Sequence, residues 1–296
     1  MKAFWHPQYW PIGLGFGVLR LLAWLPYQPL MALGRGFGWL FYYLAKRRMH
    51  ISRVNLTLCF PKQTEEQIEH QVKRYAASAG MGLMDFVIAW WWSDHRLAEH
   101  SHVEGLEYLH AALEKGRGII LFTPHMVSIE MCGRLLVPHV PVMPMYRRHE
   151  HPLIEYLMKK YREAYVPVTI PRDNPRLALR MLQQKQAVWI SPDQNYAGKH
   201  HVFVDFFGVP AATNTTVSRF AKLSGASVVP CVVIRRPSGC YQLIIEPALN
   251  NFPQNPQQDA EQLQAIIERW VRLAPEQYHW MHRRFKTRPG QMPNLY

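Results

Sequence analysis

In the stretch IILFTPHMVSIEMCG, residues 119–133, one histidine and one carboxylate stand five places apart, and Glu130 is the only acid between Glu114 and Glu150. A neutral imidazole held by a carboxylate can take a proton from an alcohol, and the carboxylate then stabilises the imidazolium that forms. That is the chemistry of acyl transfer to a hydroxyl. Five residues is a poor interval within one helix, where the two side chains point about 140° apart. His125 and Glu130 can meet if His125 lies in a turn and Glu130 one turn inside the helix that follows. Pro124 favours this arrangement: it ends the apolar run IILF, and the residues after it, MVSIEMCGRLLV, are good helix material. A lone H-x4-E also arises by chance around an ordinary polar histidine, so its place after a strand and a proline turn is what gives it weight.

The chain must supply the elements that hold such a pair. Its 296 residues, 48% of them apolar, suffice for one large α/β domain or two small ones. Lys and Arg outnumber Asp and Glu by 34 to 21, a net charge of +13, which suits an anionic partner such as nucleic acid, acidic lipid or an acidic protein. Cys59, Cys132, Cys231 and Cys240 are scattered with no CxxC pair, which argues against a metal ribbon or a disulfide framework and fits a reducing compartment.

The N-terminus departs most from a soluble protein. Pro7 to Leu19 carries no charge, Arg20 interrupts, Leu21 to Gly34 is again uncharged, and GFGWLFYYLA then leads to the cluster Lys46-Arg47-Arg48. No run reaches the roughly 18 to 20 clean residues of a spanning helix, and Pro26 divides the region. We therefore expect residues 1–45 to form a membrane-anchoring helical segment, embedded or interfacial, with the basic cluster against anionic lipid, and residues 46–296 to form the α/β domain. The alternative is that these helices belong to the core of the domain.

Beyond Arg48 the pattern is first helical. Thr64 and Gln67 form a capping box, and apolar residues recur at helical intervals up to Trp92. From Gly118 strand and helix signals alternate: GIILFT and the Glu130 helix; VPVMPMY and PLIEYLMKKYREAY; VPVTI and NPRLALRMLQQ; AVWIS and a long loop; then a helix NTTVSRFAKLSG, strands ASVVPCVVIRR and YQLIIEPAL, and a last helix DAEQLQAIIERWVRLA. The expected fold is α/β, a mixed, mostly parallel central sheet covered by helices. Sites in such sheets lie at the carboxyl ends of strands, where His125 falls.

With H-x4-E after a strand, the chain resembles the glycerolipid-type acyltransferases, and specifically the bacterial lipid A late acyltransferases. The resemblance runs through the apolar N-terminus, RVNLTLCFP at 53–61, TPHMVSIE at 123–130, YRRHEHPLIEYL at 146–157, SPDQNYAGKHHVFVDFFGVPAATN at 191–214 and WMHRRFKTRP at 280–289. It implies His125 as general base, Glu130 as its orienting partner, and Arg162 and Asp193 as further substrate-site residues; spacing alone singles out neither of the last two. Read without the resemblance, Arg162 is a solvated helix charge and Asp193 a loop acid. It also implies an acyl carrier protein as donor and partner, an anionic glycolipid acceptor such as a Kdo-bearing lipid A precursor, no metal or other cofactor, and a place on the cytoplasmic face of the inner membrane. A related acceptor such as a phosphatidylinositol mannoside is compatible with the same residues.

Other readings have less behind them. Arg147, Arg148 and Arg172 could touch phosphate or be plain surface charge. His149-x-His151 and His200-His201 could suggest a metal but lack clear further ligands nearby, and a serine hydrolase would want the absent G-x-S-x-G. WMHRRFK mixes basic and aromatic residues as a nucleic-acid binder does. Trp90-Trp91-Trp92 suits either a membrane interface or a helix end in the core.

Overall fold

The computed structural model describes residues 4–290 and 292–296. Four helices come first: α1 (Trp10–Leu22), α2 (Tyr27–Leu44), α3 (Lys46–Cys59) and α4 (Glu65–Trp91). Both halves of the capping box start α4, with Thr64 Oγ1 accepting from the Gln67 N–H at 3.3 Å and Gln67 Oε1 accepting from the Thr64 N–H at 2.9 Å. The short α5 (Asp94–Ala98), β1 (Ser101–Glu104) and α6 (Leu106–Glu114) follow. The alternating part then runs β2 (Ile119–Phe122), α7 (Ile129–Leu136), β3 (Val142–Tyr146), α8 (Pro152–Arg162), β4 (Ile170–Pro171), α9 (Pro175–Gln183) and β5 (Ala187–Ile190). The chain ends with β6 (His201–Phe206), β7 (Val209–Asn214), α10 (Thr216–Ser224), β8 (Ser227–Arg235), β9 (Tyr241–Ile245) and α11 (Pro256–Leu273).

Seven strands form one sheet in the order β1-β9-β8-β2-β5-β3-β4, and every ladder in it is parallel except β8 with β9. The expected mixed, mostly parallel α/β sheet is therefore present. The central β2 is buried along its whole length because helices cover both faces. Its alternate side chains serve two cores: Ile120 and Phe122 pack towards α9, α10 and α11, and Ile119 and Leu121 towards α2, α4 and α7.

Two expectations change. The long loop after AVWIS contains a hairpin, β6 against β7, closed by Phe207 and Gly208, both at positive φ (54° and 78°). Phenylalanine is an unusual residue for that conformation. Here its N–H donates to Glu268 Oε1 at 2.6 Å and the Arg272 guanidinium lies 4.3 Å from its ring centroid, so tertiary contacts offset the backbone cost.

The second change concerns the boundary at residue 45, which is no seam in the structure. Helix α2 is part of the core through Tyr27, Leu30 and Met31, and it lies against α4 with glycine on glycine. A Cβ at Gly38 would sit 2.3 Å from the Ala76 carbonyl oxygen, and one at Gly80 2.2 Å from that of Gly34, so the two backbones meet where no side chain fits. Helix α1, by contrast, buries none of its residues. Among the described residues no helix is long and apolar enough to cross a membrane.

Candidate active site

Strands β2 and β5 are parallel neighbours in the register Phe122 to Ile190, and the Thr123 N–H continues the ladder to the Ile190 carbonyl at 3.2 Å. Beyond these partners the two chains run alike: Thr123-Pro124-His125 after one, Ser191-Pro192-Asp193 after the other. Both prolines end their strands. His125 and Asp193, each three residues past the matched pair, therefore arrive side by side at the carboxyl edge of the sheet. Asp193 Oδ1 lies 2.5 Å from His125 Nδ1, and its Oδ2 accepts the His125 backbone N–H at 2.9 Å.

The structure thus corrects the expected pairing. Glu130 does sit in the first turn of α7 with His125 in the turn before it, but it is not on the imidazole. Its carboxylate, only 3% exposed, takes Arg162 Nε at 2.9 and 3.1 Å and Nη2 at 2.7 Å. It also accepts the Tyr165 hydroxyl at 2.8 Å and Trp90 Nε1 at 2.7 Å. These partners come from the end of α8, the turn beyond it and the end of α4, so Glu130 clamps three elements around the start of α7. Of the four expected site residues, His125 and Asp193 form one pair and Glu130 and Arg162 form another.

Electrostatics separate the two carboxyls from their surroundings. Burial alone would raise Asp193, but the adjoining His125 and its hydrogen bonds hold it well below the usual carboxylate range. Burial opposes the Glu130 charge too, and the Arg162 guanidinium together with the Trp90 and Tyr165 donors brings it below its ordinary value. An ionised Asp193 accepts a proton-bearing Nδ1, which leaves the lone pair of the neutral ring on Nε2, the arrangement a general base needs. The His125 side chain is 30% exposed while that of Asp193 is 1% exposed, so the imidazole is open to solvent and the carboxylate behind it is not.

A segment after α11 braces the pair. The His279 N–H donates to the His125 carbonyl at 2.9 Å, and the Val127 N–H to the Gln277 carbonyl at 2.7 Å. Gln277 in turn exchanges hydrogen bonds with the Arg235 backbone at 2.8 and 2.9 Å, and the Arg235 guanidinium is anchored to buried Asp85 at 2.6 Å. His282 Nε2 accepts the Asn195 N–H at 2.8 Å, fixing the loop that carries Asp193. None of this is readable from spacing, although His282 lies in one of the stretches that carry the family resemblance.

His279 and His282 are each pushed down to about 4, chiefly by burial, with nearby positive groups adding to it and Asp193 opposing it. The unfolded chain binds those protons near 6.5, so the stabilising contribution is complete above that value and is lost as pH falls towards 4. At pH 5 the loss is roughly 2 kcal/mol per histidine. Urea melts of wild type and His282→Gln at pH 7.5 and 5 check this: the variant is expected to show a smaller loss on acidification, and an unchanged loss would refute it.

The weaker candidates lie elsewhere. Arg147 and Arg148 pair with Glu150 and Asp173 at 2.8 and 3.7 Å on the surface. In the WMHRRFK segment Trp280, Arg284 and Phe285 are buried, so they offer no platform for stacking bases. Trp92 donates to the Ala23 carbonyl at 3.0 Å and is buried. Cys132 and Cys231 are both buried in the core, their sulfurs 3.9 Å apart. The hydrogen bond to Cys132, with burial, keeps the Cys231 thiol far above its usual range, which is unsuited to a nucleophile.

The model of the bacterial lipid A biosynthesis acyltransferase family matches residues 1–287. The chain belongs to that family. It is 38% identical over 299 residues to the lipid A biosynthesis palmitoleoyltransferase of Escherichia coli K12, covering 100% of this chain and 97% of that protein. It is 37% identical over 294 residues to the lauroyltransferase of the same organism, covering 98% and 96%. A lipid A biosynthesis acyltransferase of Haemophilus influenzae is 34% identical over 300 residues, covering 99% and 96%. His125 stands at the carboxyl edge of the sheet, where ligands of open α/β sheets bind.

Proposed function

We propose that this lipid A acyltransferase moves a fatty acyl chain from the thioester of an acyl carrier protein to a hydroxyl of a lipid A precursor. The acceptor is the 3-hydroxyl of an acyl chain already attached, and the product is an acyloxyacyl group. His125 Nε2 removes the hydroxyl proton as the oxygen attacks the thioester carbonyl; the C–S bond breaks and the thiolate leaves, with no covalent enzyme intermediate. Asp193 holds Nδ1–H and stabilises the imidazolium. The step moves a proton and an acyl group with no net change of oxidation state, so the reading calls for no redox cofactor. The observation that carries it is the buried Asp193 on Nδ1 of a partly exposed imidazole.

The test is to incubate the purified protein with acyl carrier proteins of several chain lengths and a Kdo-bearing lipid A precursor, and to weigh the lipid by mass spectrometry. A gain of one acyl group supports the reading and names the chain length. An acceptor of unchanged mass with every donor would overturn it.

Membrane attachment at the cytoplasmic face of the inner membrane belongs to the same proposal. Trp10, Leu14, Val18 and Leu21 form an exposed stripe on α1, and Leu33, Phe37, Leu40 and Leu44 another on the outer side of α2. Both have the helical spacing of a lipid-facing surface. Lys46 and Arg47, at the start of α3, would each add roughly 1 kcal/mol of attraction to an anionic leaflet. Salt screens that term and leaves the apolar one. Full-length protein should therefore resist a high-salt wash and need detergent, whereas replacing Trp10, Leu14, Leu21 and Trp24 by serine should let salt strip it. If salt alone removes the wild type, the attachment is wrong. Deleting residues 1–45 would be a poorer test, because it also removes Leu30 and Met31 from the core.

A further inference from the structure

His125 and Asp193 stand on two loops, one after β2 and one after β5, and the segment 279–287 is bonded to both. At one end the His279 N–H meets the His125 carbonyl at 2.9 Å. At the other, Asn195, two residues past Asp193, is held by three hydrogen bonds. Its backbone N–H donates to His282 Nε2 at 2.8 Å, its Nδ2 donates to Thr287 Oγ1 at 3.1 Å, and its Oδ1 accepts the Thr287 N–H at 3.0 Å. The last contact fixes which way the amide points, because the backbone N–H needs the oxygen.

The segment is a firm support. Trp280 and Phe285 are buried in the core, Asn55 of α3 donates to the carbonyls of Trp280 and His282 at 2.7 Å each, and the Arg284 guanidinium donates to the Ala212 carbonyl and the Thr213 hydroxyl at 2.8 Å each. The same Ala212 carbonyl accepts the N–H of Tyr196, the residue after Asn195, at 3.4 Å. Asp193 depends on such a hold. Its two oxygens meet Nδ1 and the backbone N–H of one residue, so a shift of its loop breaks one of the two contacts, and a misplacement of about 1 Å can lower a rate roughly 100-fold.

We propose that Asn195 is a positioning residue for acyl transfer: by pairing with Thr287 it sets the carboxylate of Asp193 at the distance that His125 requires. The inference rests on the acyl-transfer reading above. The role is exerted through Asp193, so the effect of Asn195 should vanish once that carboxylate is gone.

Steady-state and single-turnover kinetics on the full chain test it, with melting curves taken alongside. Asn195→Ala should lower kcat about 10- to 100-fold, with KM for either substrate changed by no more than about twofold. Asn195→Asp should recover part of that loss, since one carboxylate oxygen accepts the Thr287 N–H and the other the Thr287 hydroxyl proton. The deciding measurement is the double replacement. In an Asp193→Asn protein, adding Asn195→Ala should slow the residual rate by no more than about twofold, whereas a residue that only supports the fold would cost the same factor in either background. Thr287→Val removes the hydroxyl partner of Nδ2 and keeps the backbone N–H; it should lower kcat only while Asp193 is present, and it supplies the same cycle if Asn195→Ala does not fold. Equal losses in the two backgrounds, a rise in KM in place of the fall in kcat, or an unchanged kcat would overturn the proposal. A wild type that transfers no acyl group under these conditions would instead refute the functional reading beneath it.

Discussion

Replacing His125 by alanine is expected to lower the rate of acyl transfer by a factor on the order of 10² to 10⁴ with the fold retained, the usual range for loss of a general base. Among the described residues the side chain makes one hydrogen bond, to Asp193, and it lies at the open end of the sheet, so little else depends on it. Asp193→Asn should be nearly as damaging for a more specific reason. The carboxylate accepts two N–H groups of His125 at once, 2.9 Å from the backbone and 2.5 Å from Nδ1. An amide has one acceptor oxygen. If that oxygen keeps the backbone N–H, the NH₂ group faces Nδ1 and forces the proton onto Nε2, where the lone pair is needed. Single-turnover rates on both variants, with circular dichroism to confirm folding, decide the matter: near-normal rates in a folded His125→Ala protein would end the mechanism.

The second large effect is expected at Glu130, and it should appear in stability. Were Glu130 the partner of the base, Glu130→Gln would reduce turnover and leave the melting temperature alone. In the structure the substitution strands the Arg162 guanidinium, whose side chain is 16% exposed and whose ion pair with Glu130 closes at 2.7 Å. Breaking one side of a buried pair costs about 3–5 kcal/mol, whereas removing both charges together is often close to neutral. Glu130→Gln should therefore lower the melting temperature by many degrees, and the double replacement Glu130→Gln with Arg162→Met should recover much of the loss. Thermal melts of the two single variants and the double variant form a cycle that measures the coupling. A full-stability Glu130→Gln protein with crippled turnover would restore Glu130 to the role that its spacing from His125 suggests.

Much of the protein is determined by its sequence locally. The strand of four apolar residues, the proline that ends it, the capping box at Thr64 and the regular exchange of strand and helix signals each depend on neighbours a few places away, and each appears in the structure as read. The place of His125 at the carboxyl edge follows from the same local signals. Which carboxylate meets it does not, because that depends on strand order. Asp193 is 68 residues distant, as the hydrogen bond between them records, and it arrives only because β5 packs beside β2 with Phe122 matched to Ile190. The repetition of F-T-P-H in I-S-P-D is visible in the sequence, but it becomes meaningful once the two strands are known to be neighbours. Helices α1 and α2 make the same point in another way. Both are apolar, uncharged over most of their length and rich in glycine, and residues 1–45 read as one segment. Tertiary contact divides them: Gly34 and Gly38 of α2 lie against the α4 backbone around Ala76 to Met81, whereas a Cβ on Gly13, Gly15 or Gly17 of α1 would meet nothing within 4 Å. Composition determines that a helix is apolar; the shape of the surface opposite it decides whether the apolar side becomes core.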